Sequence, residues 1–275
     1  MSGREGIHAV LISDSRGYNF DNTNLYRPPP PPPSGQGYRP YKTHYIIKRG
    51  ATPDSIIRPA ECFFKSNIIP SRDIILVKLA LGINSIINRD TSTNPPKYDH
   101  VGTEQAFLGL VNLKNAILKI RPDCQVSFAT IPPAKLDNNQ QQHLWDIKDL
   151  NTKLSEENQT ARKTEPPSAL HTLCWHSEIL KTSKKRRRNG THRITVVIDH
   201  EKLYDGIHAK SGTKHQWYLK WHESVREDMR RQYHHRNHTG PAHAAGSSGS
   251  GNRYSCVTQV RTVVGSIGSP SNLTL

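Results

Sequence analysis

The sequence predicts an α/β protein built on a parallel sheet with helices over both faces. Three observations carry that prediction. Short apolar runs bounded by turn residues recur along the chain, as buried strands do. Stretches of helical periodicity separate them, and strands alternating with helices make parallel sheets. The residues able to do chemistry fall at or just past the carboxyl ends of the strands, where such sheets bind ligands.

The elements follow in order. Ile7-His8-Ala9-Val10-Leu11-Ile12 reads as a buried strand entering a turn at Ser13-Asp14-Ser15. Residues 21 to 40 contain the unbroken run Pro28 to Pro33, which neither a helix nor a central strand tolerates. This is a surface loop of polyproline II character, either a stiff spacer or a docking segment for an SH3- or WW-type partner. His44 to Ile47 is a second strand, closed by Lys48-Arg49-Gly50. A helix starts at a Thr52 or Asp54 cap and runs to about Phe64, with Pro59 kinking or shortening it.

Asp73 to Leu81 is a central strand ending at Gly82, and residues 89 to 99 form a loop. A helix spans about Thr103 to Ile120 and is stopped by Pro122. Gln125 to Ile131 is a strand, and Asn139 to Arg162 a polar helix with a thin apolar stripe. Residues 163 to 193 read as irregular and basic, Ile194 to Ile198 as the last strand, and Thr213 to Tyr233 as a closing helix. The expected organisation is one domain over 1–236 with loop insertions at about 21–40 and 163–193. A disordered low-complexity tail over 237–275 follows, rich in Gly, Ala and Ser.

Composition narrows the function classes. The 275 residues are only 34% apolar, with a mean hydropathy of -0.69, so part of the chain is loop or tail rather than core. No apolar span is long enough for a transmembrane helix. The first residues lack a signal-peptide apolar region, which predicts an intracellular protein, cytoplasmic or nuclear. Cys62, Cys124, Cys174 and Cys256 are scattered and form no CxxC pair, as expected of reduced thiols. The net charge is +15. Its densest run, Lys184-Lys185-Arg186-Arg187-Arg188, is either a solvated loop, a nucleic-acid contact or a nuclear-localisation patch.

Three motifs carry candidate chemistry: Ser13-Asp14-Ser15-Arg16-Gly17, Leu81-Gly82-Ile83-Asn84 and Asp205-Gly206-Ile207-His208. A serine hydroxyl becomes a nucleophile when a base takes its proton, and histidine suits that task at neutral pH. His208 follows Asp205 by three residues, so one turn sets the carboxylate against the imidazole. Acyl transfer further needs donors for the developing oxyanion. The Ser15 and Gly50 N–H groups and the Asn84 amide are the candidates. Each motif alone is ordinary turn chemistry; their order at successive strand ends is what the turns do not explain.

In these residues the chain resembles the SGNH, or GDSL-type, hydrolases over about residues 5 to 235. The family's serine block, glycine, Gly-x-Asn block and Asp-x-x-His block match Ser15, Gly50, Asn84, and Asp205 with His208 in the same order. The chain departs from that pattern at Ser13, where the family usually has glycine, at Arg16, where leucine is common, and at Ser85, where aspartate is common.

The resemblance implies a three-layer α/β/α, flavodoxin-like domain and hydrolysis of a small carboxylic ester without cofactor or metal. Ser15 would be the nucleophile, His208 the general acid/base, Asp205 its orienting partner, and Gly50 and Asn84 oxyanion donors. A looser resemblance is to esterase-like domains of animal retrotransposons, which implies the alternative of a nucleic-acid-binding module. Two further groups have open readings. His234, His235, His238 and His243 are a tail or a metal cluster, and Trp217, Tyr218 and Trp221 either stack on bases or cover the sheet.

Overall fold

Strand β1 (Ile7–Ser13) is buried at every position. A strand with no exposed side chain needs cover on both faces, and its alternating residues enter two separate cores. Val10 and Ile12 enter one, and Ile7, Ala9 and Leu11 the other. The computed structural model describes residues 5–30, 39–94, 97–161, 170–186 and 192–238. All of them lie in a compact unit spanning Met1–Ala242.

After β2 (Lys42–Ile47) comes helix α1 (Pro53–Lys65), opened by a reciprocal cap. The Thr52 hydroxyl accepts from the Ser55 N–H at 3.3 Å, and the Ser55 hydroxyl from the Thr52 N–H at 3.0 Å. Pro59 neither ends nor shortens this helix. Proline lacks the N–H that would bond the carbonyl four residues back, here that of Ser55. The Lys48 ammonium donates to that carbonyl instead, at 3.1 Å.

Strand β3 (Ile74–Ala80) follows, then an antiparallel ribbon of β4 (Ile87–Asp90) and β5 (Lys97–His100). This ribbon replaces the loop expected over 89 to 99. Its strands are four residues each, too short for alternation to show, and only Ile87 and Tyr98 are buried. Helix α2 (Glu104–Ile120) and helix α3 (Gln140–Ala161) match their expected positions, while strand β6 (Gln125–Phe128) starts where expected and ends three residues short of Ile131. The ribbon of β7 (Leu180–Arg186) and β8 (His192–Ile198) precedes helix α4 (Ser211–His238).

The central sheet is parallel, in the order β2-β1-β3-β6. One face packs on α1, α2 and α3 through Ile56, Leu110 and Leu150 among others. The opposite face packs on α4 through Trp217, Trp221 and Val225. This is a three-layer α/β/α arrangement. Lys78, on the α4 face of β3, is fully buried and pairs with buried Asp228 of α4 at 2.5 Å. It also donates to the His171 carbonyl at 2.6 Å, so one ammonium pins the closing helix to the sheet.

Two sequence expectations fail near the sheet edge. Ile194 to Ile198 does not join the parallel sheet; it pairs antiparallel with β7. Part of the 163–193 stretch, expected to be irregular, supplies the partner strand. A short apolar run reads alike as a central strand or a ribbon strand, and within 195–198 only Ile198 is buried. The place beside β6 is taken by Leu173, bridged in parallel to Ala129, with its carbonyl accepting from the Thr130 N–H at 2.8 Å.

Helix α3 completes the pairing of that edge with side chains. Asn158 both accepts from the Phe128 N–H and donates to its carbonyl, each at 2.9 Å. Asn151 does the same for Ile131 at 2.6 and 2.9 Å. Asparagine carries both an acceptor and a donor, so one side chain can replace a missing strand neighbour.

Candidate active site

The turn after β1 is shaped by Asp14, whose side chain accepts from the Arg16 N–H at 2.9 Å. It thereby caps the 3-10 turn Ser15–Gly17. Ser13 anchors the turn to β3 by donating to the Ala80 carbonyl at 2.8 Å. Gly17 is required by close approach: a Cβ there would stand 2.8 Å from the Ser13 Cβ and Oγ. Ser15 thus lies just past a fully buried strand, on a turn fixed from both sides.

The segment after β8 brings the other half. Leu203 and Ala209 form an antiparallel bridge, and the Tyr204 N–H donates to the His208 carbonyl at 2.7 Å. Gly206 has φ +87°, a conformation that side chains rarely adopt, and its carbonyl accepts from the Lys135 N–H at 2.7 Å. Inside this closed turn the Asp205 Oδ1 accepts from the N–H groups of Ile207 and His208, at 3.0 and 2.8 Å. Its Oδ2 lies 2.7 Å from His208 Nδ1, and His208 Nε2 lies 2.8 Å from the Ser15 Oγ.

This chain of contacts sets the proton positions. The carboxylate can only accept, so His208 Nδ1 carries the proton and Nε2 presents its lone pair to the Ser15 hydroxyl. Burial works against the Asp205 charge. The hydrogen bonds from the His208 ring, the His208 N–H and the Ile207 N–H outweigh it and hold the carboxyl below its ordinary range.

The two expected oxyanion residues meet each other's loops. The Lys48 N–H donates to the Ser13 carbonyl at 3.2 Å, setting the Lys48–Gly50 turn beside the serine block. Gly50 has φ +66° and is exposed. Asn84 sits on a 3-10 turn after Gly82, and its amide donates to the Ala51 carbonyl at 3.0 Å. A side-chain amide has two N–H donors, so one remains for another acceptor. The contacts therefore join Ser15, His208 and Asp205 directly. Gly50 and Asn84 are joined through Ala51 but share no hydrogen bond with Ser15.

Sequence reasoning missed the electrostatics beneath the serine. Asp14 and Arg16 are both buried, and the Asp14 Oδ2 and the Arg16 Nε and Nη2 have no hydrogen-bond partner among the described residues. Burial pushes the Arg16 guanidinium down to about 10, opposed by the charges of Asp14 and Asp205, so it stays cationic at neutral pH. Burial raises the Asp14 carboxyl, with Arg16 opposing. The one available signal was Arg16 itself, a charge directly after the serine at the end of an apolar strand.

A cleft of about 490 Å³ also lay beyond sequence reasoning. It opens between Leu25 and Tyr26 and the start of α4 at Ser211, Gly212, His215 and Gln216. Tyr26 stacks on His215, with ring centroids 6.1 Å apart. Its walls come from the segments that follow Gly17 and His208 in sequence, one from either side of the serine–histidine contact.

Other expected sites fall elsewhere. Lys184, Lys185 and Arg186 lie on β7, while their side chains, with Arg187 and Arg188, lie outside the described residues. The same holds for the side chains of His234, His235 and His238, for His243, for Pro31 to Pro33, and for Cys256. Of the proline run, the Pro29 and Pro30 carbonyls accept from Arg226 of α4 at 2.5 and 2.8 Å. Trp217, Tyr218 and Trp221 are buried against the sheet, so they cover it rather than stack on bases. Cys124 is buried, but Cys62 is exposed on α1. Among the described residues, no helix is long and apolar enough to cross a membrane.

No protein-family model and no curated protein matches the chain. Solved structures do resemble it. A GDSL-like lipase from Bacteroides thetaiotaomicron is 10% identical over 82% of this chain and 88% of that one, with a TM-score of 0.48. A lipase/acylhydrolase from Enterococcus faecalis is 12% identical over 80% and 95%, with a TM-score of 0.46. A carbohydrate esterase family 3 from Talaromyces cellulolyticus is 15% identical over 83% and 98%, also with a TM-score of 0.46.

Proposed function

We propose that the protein is a serine hydrolase that cleaves a carboxylic ester carrying an acetyl or short acyl group. The observation that carries this reading is the continuous Ser15–His208–Asp205 hydrogen-bond chain, assembled from residues 193 positions apart. Such a chain supports one kind of chemistry best: a hydroxyl activated by an imidazole whose tautomer is held by a carboxylate.

The Ser15 oxygen attacks the ester carbonyl carbon while its proton passes to His208 Nε2. Asp205 stabilises the imidazolium that forms. The carbonyl oxygen becomes an oxyanion, received by the Ser15 and Gly50 N–H groups and the free Asn84 amide hydrogen. As the tetrahedral intermediate collapses, His208 returns the proton to the leaving oxygen and the alcohol departs, leaving an acyl ester on Ser15. Water then attacks that ester, giving one proton to His208, and the collapse of the second intermediate returns the proton to the Ser15 oxygen. The products are the acid and the alcohol.

The direct test is hydrolysis of 4-nitrophenyl acetate. Wild type should turn over the ester, and Ser15→Ala and His208→Ala should each lose at least about 1,000-fold in kcat with the fold retained. Equal rates in wild type and Ser15→Ala would remove the reading.

A further inference from the structure

Beside the proposed site, two cations converge on one exposed tyrosine. The Arg49 guanidinium lies 4.0 Å from the Tyr18 ring centroid and the Lys214 ammonium 5.8 Å from it. Both distances are within the range of cation–π attraction. All three residues are tied to the reaction centre by the chain. Tyr18 follows Ser15 by three residues and donates its N–H to the Ser15 carbonyl at 3.2 Å. Arg49 precedes Gly50, and Lys214 lies on the first turn of α4, six residues past His208. Nucleophile, oxyanion turn and base thus each contribute one member.

Two like charges drawn to one ring repel each other, and folding alone gives no reason to place them so. Among the described residues neither Arg49 nor Lys214 forms an ion pair, whereas Lys181 and Lys220 find carboxylates at 3.0 and 2.7 Å. Burial lowers the Lys214 pKa, and the Arg49 charge lowers it further, so the pair is close enough to interact. Stacking occupies the face of a guanidinium and leaves its edge N–H groups free. That edge matches a carboxylate or phosphate with two parallel hydrogen bonds. Tyr18 remains 40% exposed, so the cluster is open to solvent.

We infer that Arg49 and Lys214, oriented by Tyr18, form an anion-binding subsite that selects esters bearing a carboxylate or phosphate group. This rests on the esterase reading for its position and names the substrate class of that site. The anion would relieve the repulsion between the two cations, so each cation gains from its presence. Neutral esters gain nothing from the pair. The attraction is partly exposed to solvent and weakens with salt.

The test compares matched esters. On the alcohol side, 4-acetoxybenzoate and 4-acetoxyphenyl phosphate are set against methyl 4-acetoxybenzoate; on the acyl side, monophenyl adipate is set against phenyl hexanoate. The quantity read is the ratio of anionic to neutral kcat/KM. Wild type should favour one or more of the anionic esters, the carboxylate and phosphate arms showing which group is preferred. Arg49→Ala and Lys214→Ala should each lower that ratio by roughly threefold to tenfold, the range expected of partly screened charge pairs. Raising salt should lower it in wild type.

A ratio near one on both sides, or a ratio that neither variant changes, overturns the inference while the esterase reading stands. If wild type cleaves no ester, the esterase reading is what fails. Ligand-observed NMR on Ser15→Ala then decides the subsite. Tighter binding of 4-hydroxybenzoate than of its methyl ester, abolished by Arg49→Ala, supports the subsite, and equal binding rejects it.

Discussion

Replacing Asp205 by asparagine is the sharpest perturbation of the proposed mechanism, because it keeps the shape and reverses one hydrogen bond. Asp205 accepts three N–H groups: two from the backbone through Oδ1 and one from the His208 ring through Oδ2. In the Asp205→Asn variant the amide oxygen stays with the two backbone donors, so the NH₂ faces His208 Nδ1. An amide nitrogen only donates, so Nδ1 must become the acceptor and the ring proton must move to Nε2. That proton then points at the Ser15 oxygen, where a lone pair is needed. The wrong tautomer, together with the lost stabilisation of the imidazolium, should lower kcat about 10,000-fold, or about 5.5 kcal/mol in the barrier.

Stability should change far less in Asp205→Asn. The Asp205 and His208 side chains are 35% and 40% exposed, and pairs this open contribute at most about 1 kcal/mol. The assay is steady-state hydrolysis of 4-nitrophenyl acetate beside urea unfolding of the same preparation. A kcat within tenfold of wild type in a folded variant would refute the assigned role of Asp205.

Two further predictions concern stability. Lys78→Met strips the counter-ion from buried Asp228 and should cost about 3 to 5 kcal/mol, whereas Lys78→Met with Asp228→Leu should recover much of it; a mild single variant would show the pair to be dispensable. Burial holds His143 down at about 3, with His100 and Arg16 adding to it, and His222 at about 4, with Arg226 adding to it. Both stay neutral when folded but protonate near 6.5 when unfolded, so the unfolded state binds more protons below that pH. Stability should therefore fall between pH 6.5 and about 4, by about 1.4 kcal/mol per pH unit for each histidine. Urea unfolding at stepped pH reads this, and a flat profile over that window contradicts it.

The legible part of the fold was the part governed by periodicity over long windows. Apolar runs such as Ile7–Ile12 and 73–81 became the buried strands, and the spacing over 103–120 became a helix within a residue at its start. Short ribbons were not legible. Four-residue strands such as Ile87–Asp90 carry no period, and Ile194–Ile198 has the same composition whether it pairs with a sheet or with β7. Pro59 misled for a more local reason: the cost of its missing N–H is offset by a lysine eleven positions upstream, which no helix rule anticipates.

In the site, the motifs named Ser15, Asp205 and His208, which the structure brings together, but of these only Ser15 follows a strand of the parallel sheet. The Asp205–His208 turn follows β8, outside that sheet, and is held by the Lys135 N–H, past the end of β6, donating to the Gly206 carbonyl. What escaped was the second layer. Arg16 is buried beside the serine, and Arg49 and Lys214 meet over Tyr18. These depend on side-chain directions from the turn after β1, the turn after β2 and the start of α4.

The proposed chemistry requires the Ser15 oxygen to be a nucleophile, and phosphonylation reads that atom. The Ser15 oxygen should attack the phosphorus of a fluorophosphonate, give its proton to His208 and expel fluoride to solvent, leaving one phosphonyl group on the peptide containing Ser15. Labelling should slow markedly in His208→Ala and vanish in Ser15→Ala. A folded wild-type protein that takes no label at Ser15, or takes it equally in the Ser15→Ala variant, would contradict the mechanism.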